Sequence, residues 1–316
     1  MRAATFLSAG VILAAACKPP EKVTPPPAHA TAAQVAISGA AVLIGAGDIG
    51  VCGLQGDEET AQLVDSVLKA DSAAGVPSAA FTTGDNAYPA GLDRDFVRCF
   101  GSSWGDKNKR IMKVLRPAIG NHDYQSSYGA AYYRYFGSRA GPAFKGYYSY
   151  DLGDWHLIAL NSEIAAQGGL SDRSGQEEWL KKDLREKSKL CTLAYLHRPL
   201  ISSGAHGASP VMQRLYKILA DGGVDLILAG HEHHYERFLP MNAAGAIDTL
   251  GGMEQIIVGT GGGSLTGIRS RLAFGSSVQI QGHWGVLIAT LGQDEYRTSF
   301  LDINGQVWDP SGRKCH

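Results

Sequence analysis

The stretch VDLILAGHEH, residues 224–233, joins a mostly apolar run to a turn that carries His231 and His233. Residues 224–229 have the length and composition of a strand that is buried on both faces. Gly230 follows at once, and the two histidines stand where this strand ends. Ligands of α/β proteins commonly bind beyond the carboxyl ends of strands, and the same arrangement recurs elsewhere in the chain.

Four other short apolar runs also end in side chains with an oxygen or nitrogen donor. Residues 41–46 are followed by Asp48, residues 79–83 by Asp85 and Tyr88, residues 113–119 by Asn121 and His122, and residues 191–196 by His197. A single aspartate or histidine beside a glycine would indicate only a turn. Because the carboxyl ends of neighbouring strands meet at one edge of a sheet, the five runs together predict one shared site.

The rest of the chain continues this alternation of strands and helices. Helical periodicity is found at residues 58–70, at residues 174–184 after a capping box that starts at Ser174, and again from Pro210. Towards the carboxyl terminus the helices stop and strands predominate, at residues 255–258, 284–291 and 297–303. The pattern predicts an α/β fold with a mixed sheet or two packed sheets.

The composition restricts the class of protein. Hydrophobic residues make up 44% of the 316, which is enough for a large core and excludes disorder for most of the chain. Lys and Arg number 29 against 30 Asp and Glu, so no overall positive field would attract nucleic acid or an anionic membrane. An anionic substrate must therefore be attracted locally.

The first residues predict export from a bacterial cell. Arg2 precedes an apolar stretch that is too short to span a bilayer and ends in small residues, so residues 1–16 are interpreted as a signal peptide. Cys17 follows, and this junction resembles the processing site of bacterial lipoproteins, where the cysteine is lipidated. Ordinary cleavage after residue 16 is the alternative. Residues 17–38 would form a proline-rich tether, which places residues 39–316 in the periplasm or at the cell surface, with the lipid as their only membrane contact.

Four further cysteines predict disulfide bonds: Cys52, Cys99, Cys191 and Cys315. An even number in an exported chain favours disulfides, and four cysteines permit three pairings. Buried free thiols are the alternative, while the lack of CxxC spacing argues against a thiolate zinc site. We hypothesise that Cys52 pairs with Cys99, which would brace the two aspartate-bearing loops, and that Cys191 pairs with Cys315.

Seven side chains at the strand ends have donor atoms suited to metal ions: Asp48, Asp85, Tyr88, Asn121, His197, His231 and His233. Their carboxylates, amide, phenol and imidazoles fit hard to borderline cations. Seven donors are too many for one tetrahedral ion, whereas two ions that share a carboxylate would use them all. A two-metal site is a usual way to hold a phosphoryl group.

The five motifs resemble, in order, those of the calcineurin-like metallophosphoesterases and specifically of the purple acid phosphatases. The family blocks DxG, GDxxY, GNH(D/E), VxxH and GHxH correspond to residues 48–50, 84–88, 120–123, 194–197 and 230–233. The fourth block departs from the pattern, with Ala194 where the family prefers Val. Tyr88 is the discriminating residue, since most other metallophosphoesterases lack this tyrosine. The resemblance covers about residues 41–315 and implies a four-layer α/β/β/α sandwich with mixed sheets and a dimetal site at the strand ends.

The resemblance also implies a role for each donor. Fe³⁺ would be bound by Asp48, Tyr88 and His233, and a divalent ion, Zn²⁺, Fe²⁺ or Mn²⁺, by Asn121, His197 and His231, with Asp85 as the bridge. His122 and His206 resemble the histidines that contact phosphate and protonate the leaving group.

The activity implied by the resemblance is hydrolysis of phosphate monoesters by attack of a metal-bound hydroxide. Residues 39–316 would then form a metallophosphoesterase catalytic domain that is secreted or anchored at the surface. A phosphodiesterase of the same fold, a metal-binding lipoprotein without turnover and an iron redox protein are the alternatives. Neither the natural substrate nor the oligomeric state follows from the sequence.

Overall fold

The structure, a computed structural model, describes residues 40–167 and 173–316. The predicted signal peptide, the tether and Cys17 lie outside these residues. Within the two described ranges, no helix combines the length and the apolar character that crossing a bilayer requires.

The first of two β-sheets is six-stranded and mixed. Its strands are β1 (Ala41–Ala46), β2 (Ser78–Thr82), β3 (Leu115–Pro117), β11 (Gly285–Leu291), β12 (Glu295–Asp302) and β13 (Val307–Lys314). They lie in the order β13-β12-β11-β1-β2-β3. Because β1, β2 and β3 are parallel neighbours, their carboxyl ends reach the same edge, whereas β11, β12 and β13 pair antiparallel.

The second sheet is seven-stranded and also mixed. Its strands are β4 (Tyr148–Leu152), β5 (Trp155–Ala159), β6 (Cys191–Tyr195), β7 (Leu226–Ala229), β8 (Tyr235–Phe238), β9 (Glu254–Val258) and β10 (Ser276–Ile280). They lie in the order β10-β8-β9-β7-β6-β5-β4. The four central strands, β9, β7, β6 and β5, are parallel. β8 and β4 pair antiparallel with β9 and β5, and β10 pairs antiparallel with β8.

Helices connect the strands, and most of them are short. They are α1 (Gly56–Ala74), α2 (Asp93–Asp95), α3 (Ile111–Val114), α4 (Asn121–Gln125), α5 (Ala130–Phe136), α6 (Glu163–Gln167), α7 (Arg173–Glu186) and α8 (Gln213–Asp221), with a π-helical turn at Phe96–Phe100. The first turn of α1 contains three acidic residues, and negative charge there is stabilised by the positive end of the helix dipole. It ends at Gly75, whose left-handed φ of 70° suits a residue without a Cβ.

The two sheets pack face to face through side chains that alternate along each strand. In β6, Leu193 and Tyr195 belong to the core between the sheets, and the Tyr195 ring lies 5.8 Å from the Phe81 ring of β2. Ala194 points to the opposite face, which α7 and α8 cover with residues such as Leu180. α1 packs against β1, β2 and β11 of the first sheet. The predicted four-layer α/β/β/α sandwich is therefore confirmed.

Two sequence predictions about secondary structure are wrong in detail. The strand expected at residues 113–119 is only Leu115–Pro117, because the residues before it are helical and Pro117 has no N–H to extend the ladder. Ser174 lies inside α7, which is described from Arg173, so it does not precede the helix as a capping box requires.

The structure contains both hypothesised disulfides. Cys52 is joined to Cys99, and Cys191 is joined to Cys315. The first bond links the loop after β1 to the π-helical turn that follows β2. The second bond links the residue after β13 to the first residue of β6, and it therefore connects the two sheets.

Candidate metal centre

The carboxyl ends of strands from both sheets meet at one edge of the molecule. In the first sheet β1 leads to Asp48 and β2 to Asp85, and in the second sheet β6 leads to His197. A backbone hydrogen bond of 2.9 Å, from the Gly47 N–H to the Val258 carbonyl, joins the two edges directly. The donors that the sequence predicted for a shared site thus come from two packed sheets.

One group of donors surrounds the Tyr88 hydroxyl. Its oxygen lies 3.1 Å from Asp48 Oδ1, 3.1 Å from Asp85 Oδ2 and 3.2 Å from His233 Nε2. His233 Nε2 in turn lies 3.3 Å from Asp48 Oδ1. The phenol has a single proton and cannot donate to both carboxylates, whereas one cation can bind all four groups.

A second group of donors surrounds Nε2 of His197. This nitrogen lies 3.0 Å from Asn121 Oδ1, 3.2 Å from His231 Nδ1 and 3.3 Å from Asp85 Oδ2. Asp85 Oδ2 is therefore common to both groups. The structure brings the seven predicted donors together as two sets with one carboxylate between them.

Three of these residues have a backbone conformation that is rare outside glycine. Asp48, Asp85 and His231 have φ angles of 60°, 50° and 72°, and left-handed residues of this kind cluster at functional sites. Beside them, a Cβ on Gly120 would lie 2.2 Å from the Asp85 nitrogen. The glycine before Asn121 is therefore required for α4 to approach the Asp85 loop.

Hydrogen bonds on the far side of each imidazole orient the histidines. His197 Nδ1 donates to the Thr83 carbonyl at 2.9 Å, and His233 Nδ1 donates to the Ser264 carbonyl at 2.7 Å. A carbonyl accepts only, so both rings carry their proton on Nδ1 and present Nε2 to the centre. His231 is reversed, because its Nδ1 faces His197 while its Nε2 faces Arg198.

The carboxylates create a negative potential at the centre. Burial by itself lowers the pKa of His197, but the Asp85 carboxylate more than reverses this and raises the pKa to about 10. Burial likewise lowers the pKa of His233, and Asp48 raises it to about 9. Burial raises the pKa of Tyr88 well above its usual range, and Asp85 adds to the effect. Positive charge is needed at this place, either as protons on the imidazoles or as metal ions.

The donor geometry fits metal ions. Ligand bonds of about 2.0–2.2 Å place neighbouring ligand atoms roughly 3.0–3.6 Å apart. The donor distances in both sets lie between 3.0 and 3.3 Å, within this range. Asp48, Asp85 and His197 alone form a candidate metal-binding triad whose ligand atoms are all within 4.8 Å of one another.

The two remaining site candidates border this centre. His122 Nδ1 donates to the Pro89 carbonyl at 2.6 Å, which leaves Nε2 3.9 Å from Asp85 Oδ2. The His206 ring lies 4.7 Å, centre to centre, from the ring of His231. The loop that carries His206 therefore folds back over the centre, as its expected role requires.

Sequence reasoning missed two charged residues next to the centre. Arg198 places Nη1 3.2 Å from His231 Nε2, and its Nε contacts both carboxylate oxygens of Glu163 at 3.0 Å. Arg198 could have been suspected from the sequence, because a charged residue directly follows the predicted ligand His197. The second residue is Glu232, which lies between His231 and His233 and is fully buried. No local sequence pattern shows what its side chain contacts.

A cavity beside the centre offers local positive charge. It has a volume of about 320 Å³ and is lined by Tyr88, the Cys52–Cys99 disulfide, Arg94 and Arg98. Asp95 lines the cavity too and pairs with Arg94 at 3.5 Å, so the two guanidinium groups and one carboxylate give the lining a net charge of +1.

The fold and the motifs define the class of protein. Residues 43–235 match the family model described as calcineurin-like phosphoesterase, so the chain belongs to this family. Within it the chain is similar to purple acid phosphatases, as the motifs predicted. The family and its acid phosphatase relatives support a hydrolase.

Particular relatives agree with this placement. The chain is 28% identical over 202 residues to acid phosphatase type 7 of Homo sapiens, which covers 55% of this chain and 44% of the human protein. The curated relatives are longer, and the chain spans less than half of their length.

Among solved structures, purple acid phosphatase PPD1 from yellow lupin superposes with a TM-score of 0.70 at 19% identity, over 87% of this chain and 54% of that chain. GAP50 of Plasmodium, described as the anchor in the inner membrane complex, has a TM-score of 0.69 at 15% identity, over 88% of this chain and 89% of that chain. At these identities both superpositions show the fold.

Proposed function

We propose that the protein is a dimetal phosphatase that hydrolyses phosphate monoesters in the manner of a purple acid phosphatase. The observation that carries the proposal is the pair of donor groups that share Asp85 Oδ2. Two ions held by one carboxylate can hold the transferring phosphoryl group and both of its reacting oxygens.

The donor chemistry divides the centre between two kinds of ion. The phenol and carboxylate of Tyr88 and Asp48, with His233, suit a hard Fe³⁺ ion, whereas the amide and imidazoles of Asn121, His197 and His231 suit Zn²⁺, Fe²⁺ or Mn²⁺. Asp85 would contribute a ligand to both. When bound, these ions supply Lewis acidity and a nucleophile for hydrolysis.

The side chains around the centre bind the ester and assist departure of the leaving group. His122 and His206 each direct one nitrogen away from their protein partner, and when the ring carries a second proton this nitrogen contacts the phosphate or donates the proton to the leaving oxygen. Arg198 adds positive charge beside His231. Arg94 and Arg98 attract the anionic substrate towards Tyr88.

The proposed setting is outside the cytoplasm, in the periplasm or at the cell surface. The two disulfides support export, because such bonds persist in oxidising compartments. Lipidation of Cys17 would anchor the domain through the tether of residues 17–38. Mass spectrometry of the mature N-terminus distinguishes a lipidated Cys17 from simple cleavage after residue 16.

The deciding experiment combines metal analysis of the purified protein with hydrolysis of nitrophenyl phosphate and bis(nitrophenyl) phosphate across pH. We expect two metal ions per chain and a monoester rate well above the diester rate. A higher diester rate would favour a phosphodiesterase of the same fold. Two bound ions without turnover of either ester would favour a non-catalytic role.

A further inference from the structure

Glu232 lies between the donors His231 and His233 but takes no part in the metal centre. Its side chain is fully buried, and its carboxylate points to the loop of residues 202–208. Oε1 accepts a hydrogen bond from the Gly207 N–H at 2.6 Å, and Oε2 lies 3.3 Å from His206 Nδ1. A buried acid is thus placed directly behind a histidine that borders the centre.

The loop is built around this carboxylate. A Cβ at Gly204 would lie 2.1 Å from Glu232 Oε2, so a larger residue there would displace the carboxylate from this position. Gly207, whose N–H donates to Glu232, has a left-handed φ of 79°, a conformation that suits glycine. Two glycines on either side of His206 therefore adapt the loop to Glu232.

The contact favours one tautomer of His206. Glu232 Oε2 lies beside Nδ1, and a carboxylate oxygen is a good acceptor, so the Nδ1–H form makes a hydrogen bond there that the Nε2–H form lacks. Nε2 is then the nitrogen left for another partner. The ring lies 4.7 Å from the His231 ring and 6.4 Å from the His233 ring, and its side chain is 49% exposed, so that partner can be a substrate.

We propose that Glu232 is a positioning residue, which holds His206 over the metal centre through Nδ1–H and leaves Nε2 as the nitrogen that takes up a proton from solvent and delivers it to the leaving group. Orientation of a catalytic histidine by a carboxylate is a general device. The consequence for turnover rests on the proposed phosphatase function. The placement and tautomer of His206 do not depend on it.

A matched control lies on the same segment. Glu236 is also fully buried, and its Oε2 accepts a hydrogen bond from the Ser203 N–H at 3.0 Å, at the other end of the same loop. This oxygen faces His234 Nε2 at 3.3 Å, and Oε1 accepts the Ser276 hydroxyl at 2.6 Å. Glu236 thus anchors the loop as Glu232 does, without touching His206.

The first test reads the tautomer of His206 by NMR. Long-range ¹H–¹⁵N correlation spectra are recorded on histidine-labelled protein loaded with diamagnetic Zn²⁺, and a His206→Gln variant assigns the signals. In Glu232→Gln the Gly207 N–H still needs an acceptor and takes the amide oxygen, so the NH₂ group faces His206 Nδ1 and makes this nitrogen the acceptor. We expect the Nδ1–H form in the wild type and in Glu236→Gln, and the Nε2–H form in Glu232→Gln. The same tautomer in all three proteins would overturn the proposal.

The second test separates positioning from loop stability by kinetics on a monoester with a poor leaving group. We expect Glu232→Gln to lower kcat by roughly 10–100-fold, with KM changed less than about threefold and metal content unchanged. Glu236→Gln should stay within about twofold of wild type, and adding Glu232→Gln to His206→Gln should cause no further loss, because both act through one histidine. An equal loss in Glu236→Gln would overturn the positioning role. If neither the wild type nor any variant turns over substrate, the phosphatase proposal fails. The NMR test of the His206 tautomer then decides the role of Glu232.

Discussion

Removal of the Cys52–Cys99 disulfide should weaken both the fold and the metal centre. The bond closes a loop across a sequence separation of 47 residues, which by loop entropy corresponds to about 4 kcal/mol of unfolding free energy. Cys52 and Cys99 line the same cavity as Tyr88. The double variant Cys52→Ala/Cys99→Ala therefore also loosens the loops that carry Asp48 and Asp85. We expect it to lower metal affinity by roughly 10-fold.

The other disulfide is the matched control. Cys191 and Cys315 are 124 residues apart, so the same model assigns about 5 kcal/mol to their bond. Cys191 is the first residue of β6, whereas His197 follows the other end of that strand, roughly 20 Å away at about 3.3 Å per residue. Cys191→Ala/Cys315→Ala should therefore destabilise the fold at least as much and leave metal affinity unchanged.

The assay is urea unfolding of the three proteins, with metal affinity measured by competition with a chelating dye. Unfolding is followed at one fixed free-metal concentration, because bound metal contributes to the apparent stability. Two results would refute the reasoning. One is unchanged metal affinity in Cys52→Ala/Cys99→Ala, and the other is an equal loss of metal affinity in the control variant.

Three further predictions test single side chains. Tyr88→Phe removes the phenol oxygen from the first donor group, and a phenolate bound to Fe³⁺ absorbs visible light. Iron-loaded wild type should therefore be violet or pink in a visible spectrum, and the variant should be colourless. A colourless but active wild type would contradict the assignment to Fe³⁺. Asp85→Asn removes the charge shared by both donor groups, and elemental analysis should show loss of at least one ion per chain. Burial lowers the pKa of His156, but its contacts with Asp183 and Asp151, both 2.9 Å, raise it above the usual value of about 6.5. The stabilisation by these ion pairs is complete below about pH 6.5 and is lost as pH rises through the pKa of His156 in the folded protein. The difference in urea midpoint between wild type and His156→Gln should therefore shrink from pH 6 to pH 9. A difference that stays constant with pH would contradict the ion pairs.

The sequence predicted the central strands well and the edge strands poorly. β1, β6 and β7 are continuous apolar runs because both of their faces are buried, so their pattern is strong. β13 alternates between exposed and half-buried residues and includes Pro310, which gives no apolar run to detect. The division of the strands between two sheets depends on pairings such as β1 with β11, which are distant in sequence.

The same limit explains which site residues could be predicted. Asp48, Asp85 and His231 follow strands whose patterns are visible, so motif and strand together place them. The role of Glu232 depends on Gly207, which precedes it by 25 residues and reaches it only because the loop folds back. A residue between two donors has no periodicity of its own, and its contacts become visible only in three dimensions.

The division of donors between the sheets links metal binding to the fold. The oxygen donors Asp48, Asp85, Tyr88 and Asn121 follow strands of the first sheet, whereas the nitrogen donors His197, His231 and His233 follow strands of the second. Side chains such as Phe81 and Tyr195 hold the middle of the sandwich by apolar contact, but at the strand ends the facing groups are polar and the carboxylates repel one another. Each donor set takes oxygens from one sheet and imidazoles from the other, so an ion bound there joins the sheets at the edge where the apolar core ends. The centre that suits the proposed chemistry is therefore also a place where bound cations would stabilise the packing of the two sheets.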